Sequence, residues 1–264
     1  MKTIIQLFQN KKNKEKISVI TCYDASFARL ISKTNIDCIL VGDSLGMVIQ
    51  GLSSTVPVTL EEMIYHTKSV KRGSTNKYII CDLPFLSYHT SLENAVFSAG
   101  KVLKETEADA VKLEGASNKI LEIITHLTEI GIPVMGHLGL TPQSYQTLGG
   151  YRVQGKDTKE ADKIYEDALA LEKAGVFSIV LEMIPSSLGK KISESLKIPT
   201  IGIGAGVDTD GQVLVLYDLL GMNDDFEPKF LKKYANLEEI IKNSLNNFHE
   251  ETVNLSFPKP ENSF

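Results

Sequence analysis

Asp37-Cys-Ile-Leu-Val-Gly-Asp-Ser44 is a short apolar run closed by polar residues, and the same pattern returns along most of the chain. Its counterparts are Ser18–Asp24 (SVITCYD), Tyr78–Pro84 (YIICDLP), Ala110–Gly115 (AVKLEG), Pro133–Gly139 (PVMGHLG), Phe177–Ile184 (FSIVLEMI), Pro199–Gly206 (PTIGIGAG) and Val213–Asp218 (VLVLYD). Rich in Val and Ile and apolar on both faces, these runs read as buried parallel strands. Helical signals lie between them. Thr59-x-x-Glu62 and Thr90-x-x-Glu93 are capping-box patterns, and Ser117–Ile130 and Thr158–Ala174 carry apolar residues three and four apart. Gly131 and Gly175 stand where those last two helices should stop. Alternating strands and helices imply right-handed parallel crossovers. From Asp24 to Asp218 the units average about 28 residues, near the roughly 31 of eight units sharing about 250 residues. The spacing favours one (β/α)8 barrel over an open doubly wound sheet, with a single domain over residues 1–264.

Around the barrel, the sequence suggests a Lys/Asn-rich N-terminal arm (Met1–Lys16), a loop at Leu45–Pro57 and a Gly-rich loop at Leu138–Gly155. Ala235–Glu250 reads as a surface helix and Pro258–Phe264 as a loose tail.

The 264 residues carry a net charge of −5, with 42% hydrophobic and 23% charged residues. Such proportions belong to an ordinary globular protein and exclude a disordered, collagen-like or coiled-coil chain. The mildly acidic balance argues against a nucleic-acid or anionic-membrane partner. No apolar run approaches the roughly 20 residues of a membrane helix, and the N-terminus does not read as a signal peptide. Cys22, Cys38 and Cys81 are scattered, odd in number and set in apolar stretches, which fits core thiols in a reducing cytoplasm.

Polar residues recur where the strands end: Asp24, Asp43 with Ser44, Asp82, Lys112 with Glu114, His137 and Glu182. In a parallel barrel those ends converge on the face where active sites are built. Residues two apart on a strand share a side, so Lys112 and Glu114 point together while Val111 and Leu113 point oppositely. Buried unpaired charges cost several kcal/mol, so this pair needs each other or a ligand. Asp43, Asp82 and Glu114 form an oxygen-only set of the kind that suits Mg²⁺ better than zinc or copper. Each alone would equally suit a helix cap or a turn.

Glu182, after a mostly apolar strand and before Pro185, stands where either a general base or a salt-bridged structural carboxylate belongs. His137, near Gly136 and Gly139, suits a donor to a substrate oxygen or a satisfied core histidine. His66, His89, His126 and His249 read as surface residues. Gly202-Ile-Gly-Ala-Gly206 suits a phosphate grip or a close approach of backbone to ligand or neighbouring strand. As a dinucleotide fingerprint it fails. Walker, Gly-x-Ser-x-Gly and His-Glu-x-x-His motifs are absent.

Together, VGDSLGM around Asp43–Met47, Val111–Gly115, Gly136–Ser144 (GHLGLTPQS), Gly149–Gly155 (GGYRVQG), Gly202–Gly206 and Asp210-Gly211-Gln212 resemble the signature segments of the ketopantoate hydroxymethyltransferases. The likeness runs from about Tyr23 to Phe230. It implies a (β/α)8 barrel, Mg²⁺, and hydroxymethyl transfer from 5,10-methylenetetrahydrofolate to 3-methyl-2-oxobutanoate in pantothenate biosynthesis, by an enolate. It further implies a homo-oligomer, typically a decamer, with small-molecule substrates as partners. By motif, Asp43 and Asp82 match metal ligands, Glu114 completes the metal site, and Ser44 and Lys112 bind the 2-oxo acid. Metal-bound Asp43 and Asp82 thereby also line the substrate pocket. Glu182 matches the proton acceptor, and His137 falls in the substrate pocket. Competing readings are another Mg²⁺-enolate barrel, such as a 2-oxo acid lyase or phosphoenolpyruvate mutase-like enzyme, and a non-catalytic binding barrel.

Overall fold

The computed structural model describes residues 3–12, 14–223 and 227–264. Met1, Lys2 and Asn13 of the N-terminal arm lie outside them. The strands are β1 (Ile17–Thr21), β2 (Cys38–Val41), β3 (Tyr78–Asp82), β4 (Ala110–Lys112), β5 (Val134–Gly139), β6 (Ser178–Glu182), β7 (Thr200–Ile203) and β8 (Gly211–Leu214). They pair in chain order, all parallel, and β8 closes on β1 with Val19 opposite Val213. The fold is thus the expected (β/α)8 barrel. Helix α1 (Ile4–Lys11) precedes β1, and α2 (Ala25–Ile31), α3 (Leu45–Val48), α4 (Leu60–Gly73), α5 (Leu92–Thr106), α6 (Asn118–Glu129), α7 (Thr158–Ala174) and α8 (Ser186–Ser195) fall between strands. After β8 come α9 (Leu216–Leu219) and α10 (Leu237–Val253). The described residues group into two compact units, one running through Val215 and one of Leu216–Phe264. Among them no helix is long and apolar enough to cross a membrane.

The barrel interior is filled by alternate residues of the strands, among them Val19, Leu40, Ile80, Ala110, Met135, Val180, Ile201 and Val213. Helix α1 joins this core. Ile4 and Phe8, four apart on one helical face, are buried in it, and Phe8 meets Phe177 edge-on at 5.2 Å between ring centres. The sequence suggests only a Lys/Asn-rich arm here, with Gln6, Gln9 and the lysines interrupting its apolar residues. Those polar residues occupy the other faces, so the interruption is itself the helical period.

Two ion pairs fasten this N-terminal segment. Lys12 Nζ is buried 2.7 Å from Asp210 Oδ2 and donates to the Ser193 carbonyl at 2.8 Å. Asp210 Oδ2 also accepts from Thr200 N, which gives the acidic residue of Asp210-Gly211-Gln212 a place in the barrel frame. Lys11 Nζ lies 2.7 Å from Asp37 Oδ1, and Ser18 donates to Asp37 Oδ2 through both its N–H and its hydroxyl. Burial works to raise the Asp37 pKa, but the Lys11 and Ser18 donors outweigh it and the net shift is downward. A depressed folded-state pKa stabilises above the unfolded value of about 3.9, and that contribution is lost as pH falls through the folded pKa. Lys11→Met should cost about 0.5–1 kcal/mol at neutral pH. Denaturant unfolding should show this difference vanishing once Asp37 is protonated; a difference that persists there would assign it to packing.

Several local expectations hold. Thr59 and Glu62 form a reciprocal capping box on α4, α7 spans Thr158–Ala174 and ends on Gly175 at φ 98°, and all three cysteines are buried and unpaired. Others are corrected. Ser91, in place of Thr90, caps α5 by accepting from Asn94 N, because Ser91 is the extended residue from which the helix departs. Leu45–Pro57 is not wholly loop, since Leu45–Val48 forms α3. Strand β8 stops at Leu214 and α9 begins at Leu216, so VLVLYD starts as strand and ends as helix, with Asp218 on α9. An unbroken apolar run of this length shows no period that could reveal the change.

The C-terminal unit contains α10, capped by Asn236 and with no buried residue along its length, as expected for a surface helix. Tyr234 N and Leu237 N donate to Leu219 O and Leu220 O, joining the segment before α10 to the end of α9.

Candidate active site at the C-terminal mouth of the barrel

Strand period carries the apolar interior into a charged layer. Asp82 stands two residues beyond Ile80, Lys112 two beyond Ala110, His137 two beyond Met135 and Glu182 two beyond Val180, and each of those four predecessors faces the core. Sheet register then sets Asp82 beside Lys112 as Cα partners. Asp43 and Ser44 follow β2 by two and three residues, and Asp43 N donates to Asp82 Oδ2 at 3.1 Å. Six of the seven candidate residues are joined by direct contacts, and Ser44, next to Asp43 in the chain, is held by the Tyr23 hydroxyl at 2.8 Å.

Lys112 is the hub. Its Nζ lies 3.1 Å from Asp82 Oδ1, 3.2 Å from His137 Nδ1 and 3.9 Å from Glu114 Oε1. His137 lies between two acids, with Nδ1 3.4 Å from Glu114 Oε1 and Nε2 3.2 Å from Glu182 Oε2. The contacts at Asp82 Oδ1 and His137 Nε2 are at ion-pair distance without hydrogen-bond alignment. Glu182 is the most open of the group, its side chain 17% exposed against 3–4% for His137, Lys112, Asp82 and Glu114. Placement of the Glu182 carboxylate depends on a close strand crossing: Gly139 sits at φ 92°, and a Cβ there would fall 2.1 Å from the Glu182 carbonyl oxygen.

The cluster is short of positive charge. Burial, and then the Asp82 and Glu114 carboxylates, push the Asp43 pKa well above the usual carboxylate range. Burial also raises Asp82 despite Lys112. Burial opposes the charge on Lys112, but Asp82, Glu114 and Asp43 more than offset it, so its pKa rises. Glu114 is lowered: burial resists, and donors from His137, Lys112 and Gln143 N prevail. For His137, burial and the Lys112 charge oppose protonation, yet Glu114 and Glu182 raise its pKa to about 9. Lys112 Nζ and His137 Nδ1 thus both face the Glu114 carboxylate.

Four carboxylates against two cations leave room for further positive charge. Among the described residues no group of three His, Cys, Asp or Glu side chains is placed to hold a metal ion by itself. Mg²⁺ commonly needs only one or two protein carboxylates, with water and substrate oxygens completing its shell. Neighbouring Asp43 and Asp82, oxygen-only, raised first by burial and further by the Glu114 carboxylate, fit such an ion.

Other residues at the mouth carry no charge and escaped the sequence reading. Gln143 donates to Asp43 Oδ2 at 2.8 Å, Tyr88 donates to Gln143, and Tyr23 holds Ser44. Tyr23 stands at a strand end and is open to the same reasoning; Gln143 falls inside the Gly136–Ser144 segment, on the turn Pro142–Ser144, but no charge marks it, and Tyr88 sits in a loop with no local signal. Tyr145 and Tyr151 of the Gly-rich loop stack at 5.5 Å, and Tyr151 reaches Met47. His89 departs from the expected surface position: it is half-buried with its ring 3.9 Å from that of Tyr88, and burial lowers its pKa. His66 and His126 are likewise partly buried, while His249 is exposed. In the Gly202–Gly206 segment close approach is evident, since a Cβ on Gly202 would meet Thr209 Oγ1 at 2.7 Å and one on Gly206 would meet Ser186 Cβ at 2.6 Å.

A (β/α)8 barrel whose mouth gathers acids, one lysine and one histidine defines an enzyme of the α/β-barrel class. The family model described as ketopantoate hydroxymethyltransferase matches residues 1–260. The chain belongs to the ketopantoate hydroxymethyltransferase family. It is 58% identical over 265 residues to the 3-methyl-2-oxobutanoate hydroxymethyltransferase of Leptospira interrogans, covering 100% of both chains. The enzyme of the same name from Bdellovibrio bacteriovorus is 53% identical over 264 residues, again covering 100% of both. Among solved structures, a phosphonopyruvate hydrolase complex with oxalate and Mg²⁺ aligns with a TM-score of 0.67 at 9% identity, over 99% of this chain and 93% of that one. A 2,3-dimethylmalate lyase, a member of the PEP mutase/isocitrate lyase superfamily, aligns with a TM-score of 0.61 at 12% identity, over 99% and 93%. At these identities the structural likeness speaks for the fold alone.

Proposed function

We propose that this enzyme transfers a hydroxymethyl group from 5,10-methylenetetrahydrofolate to 3-methyl-2-oxobutanoate, with Mg²⁺, giving 2-dehydropantoate for pantothenate synthesis. The observation that carries the reading is the full-length family match together with the charged mouth cluster. Asp43 and Asp82 would hold Mg²⁺, with Glu114 contributing directly or through water. The ion would supply Lewis-acid stabilisation of the negative charge that develops on the 2-oxo group.

The chain's own residues divide the remaining tasks. Lys112 and Ser44 bind the carboxylate end of the 2-oxo acid and turn C3 toward Glu182. Glu182 takes the C3 proton. His137 Nε2, 3.2 Å from Glu182 Oε2, steadies that oxygen and leaves Oε1 for the proton. C3 bonds to the folate's methylene carbon, whose bonds to the folate nitrogens break; water supplies the new hydroxyl, and tetrahydrofolate leaves, its nitrogens having taken up the C3 proton and one proton of that water. The reading also carries a cytoplasmic homodecamer with small-molecule partners, and no nucleic-acid or membrane partner.

The test is product formation by NMR, with the 2-oxo acid and the folate supplied together and separately, with Mg²⁺ and after chelation. 2-Dehydropantoate is expected only with both substrates and the metal. Turnover of 2-oxo acids without folate would favour a lyase-like reaction. Asp82→Asn should raise the Mg²⁺ concentration needed for activity by at least about 10–100-fold, the range found even for changes outside the metal ligands. Its unfolding should stay cooperative, and normal turnover at limiting Mg²⁺ would remove Asp82 from the metal site.

A further inference from the structure

Gln143 lies on the turn Pro142–Ser144 that follows β5, away from every strand whose carboxylate it touches. Its side chain is buried and fully engaged. Nε2 donates to Asp43 Oδ2 at 2.8 Å and to the Leu83 carbonyl at 2.9 Å, and Oε1 accepts from the Tyr88 hydroxyl at 2.8 Å. Gln143 N donates to Glu114 Oε2 at 3.1 Å. Tyr88, fully buried, accepts in turn from Glu114 N at 3.1 Å.

The direction of this chain follows from its ends. A backbone N–H only donates, so the Tyr88 oxygen accepts from Glu114 and its single proton goes to Gln143 Oε1. That orients the amide, and both Nε2 protons then meet pure acceptors. The outcome is a one-way run from Glu114 N–H through Tyr88 O–H and the Gln143 NH₂ to the Asp43 carboxylate, each bond polarising the next in a dry site. It brings Asp43 a donor without bringing it a charge. It also commits Asp43 Oδ2, while no hydrogen bond to Oδ1 is found among the described residues. Through its backbone, the same residue holds Glu114, so one turn sets the spacing of two carboxylates on separate strands.

We infer that Gln143, backed by Tyr88, is a positioning residue that aims the Asp43 carboxylate at a divalent cation, an inference that rests on the proposed role of Asp43 and Asp82 in holding that ion. A loop anchor with no such role would have the same packing but no effect on the cation. Gln143→Met keeps the length of the side chain and removes its donors and acceptor; Tyr88→Phe removes one hydroxyl.

The experiment is a titration of metal-stripped protein with Mn²⁺, reading free ion by electron paramagnetic resonance, with thermal unfolding as the control for folding. The parent is expected to bind Mn²⁺. Gln143→Met should raise its Kd about 10–100-fold, and Tyr88→Phe about fivefold, the value of one buried neutral hydrogen bond. Because Tyr88 reaches Asp43 only through Gln143, the loss in the double variant should fall short of the product of the two single losses, the remainder being what the Tyr88 hydroxyl supplies through Glu114 N. In turnover assays the Mg²⁺ requirement should rise while KM for the folate stays put. A folded Gln143→Met with the parent's Kd overturns the inference and leaves the metal site standing. Should Gln143→Met fail to fold, an unchanged Kd in Tyr88→Phe overturns it instead. A parent that binds no Mn²⁺ removes the metal reading and this inference together.

Discussion

Glu182→Gln is expected to slow exchange of the C3 proton of 3-methyl-2-oxobutanoate with D₂O by about 10² or more, the scale of a positioned general base. The exchange is measured by proton NMR with Mg²⁺ and without folate, which isolates proton removal from one-carbon transfer. Glutamine is nearly isosteric, so binding of metal and substrate should persist. The expectation rests on place: Glu182 continues the inward-facing row of β6 past Val180, and it is more open than the acids deeper in the mouth. Against burial, the Glu114 and Glu182 carboxylates beside His137 raise its pKa, which favours it as a donor to Glu182. Exchange by Glu182→Gln at the parent's rate would exclude Glu182 as the base and leave His137 or a water molecule as the better candidate.

Lys112→Met should be the most costly change in the mouth. Lys112 is buried among Asp82, Glu114 and Asp43, and its removal leaves their charges without the cation that holds them. Breaking a buried ion pair by deleting one partner typically costs about 3–5 kcal/mol, and denaturant unfolding of the metal-free variant should show a loss on that order. Excess Mg²⁺ should return part of it, because an ion that binds the folded state alone stabilises it. In the folded, metal-loaded enzyme the main kinetic effect should be a higher KM for the 2-oxo acid, since Lys112 would contact substrate and transition state alike. An unchanged KM for the 2-oxo acid with impaired folate binding would move Lys112 to the other subsite. An unchanged stability would mean that the three acids take up protons or water at little cost.

Much of the barrel was legible because its signals are local. Buried parallel strands are apolar on both faces, and caps such as Thr59 with Glu62 act within one turn. Charges at strand ends stand out for the same reason. Helix α1 was not legible as part of the core, since Ile4 and Phe8 only make sense once Phe177, far along the chain, is beside them. Nor was the end of β8, where VLVLYD offers no polar residue to mark the change from strand to helix.

Strand period alone determined that Lys112 and Glu114 share a side and that Asp82, His137 and Glu182 belong to the same converging face. Tertiary structure decided who pairs with whom. Lys112 lies 3.1 Å from Asp82 and 3.9 Å from Glu114, although Glu114 is two residues away and Asp82 is thirty. Strands in a sheet lie about 4.8 Å apart, whereas residues two apart on one strand are separated by about 6.6 Å, so a registered neighbour is closer than a sequence neighbour on the same face. The neutral layer that aims the acids was also set there, because the amide of Gln143, although inside the Gly136–Ser144 segment, has no charge or period to mark its role until the turn after β5 brings it against Asp43.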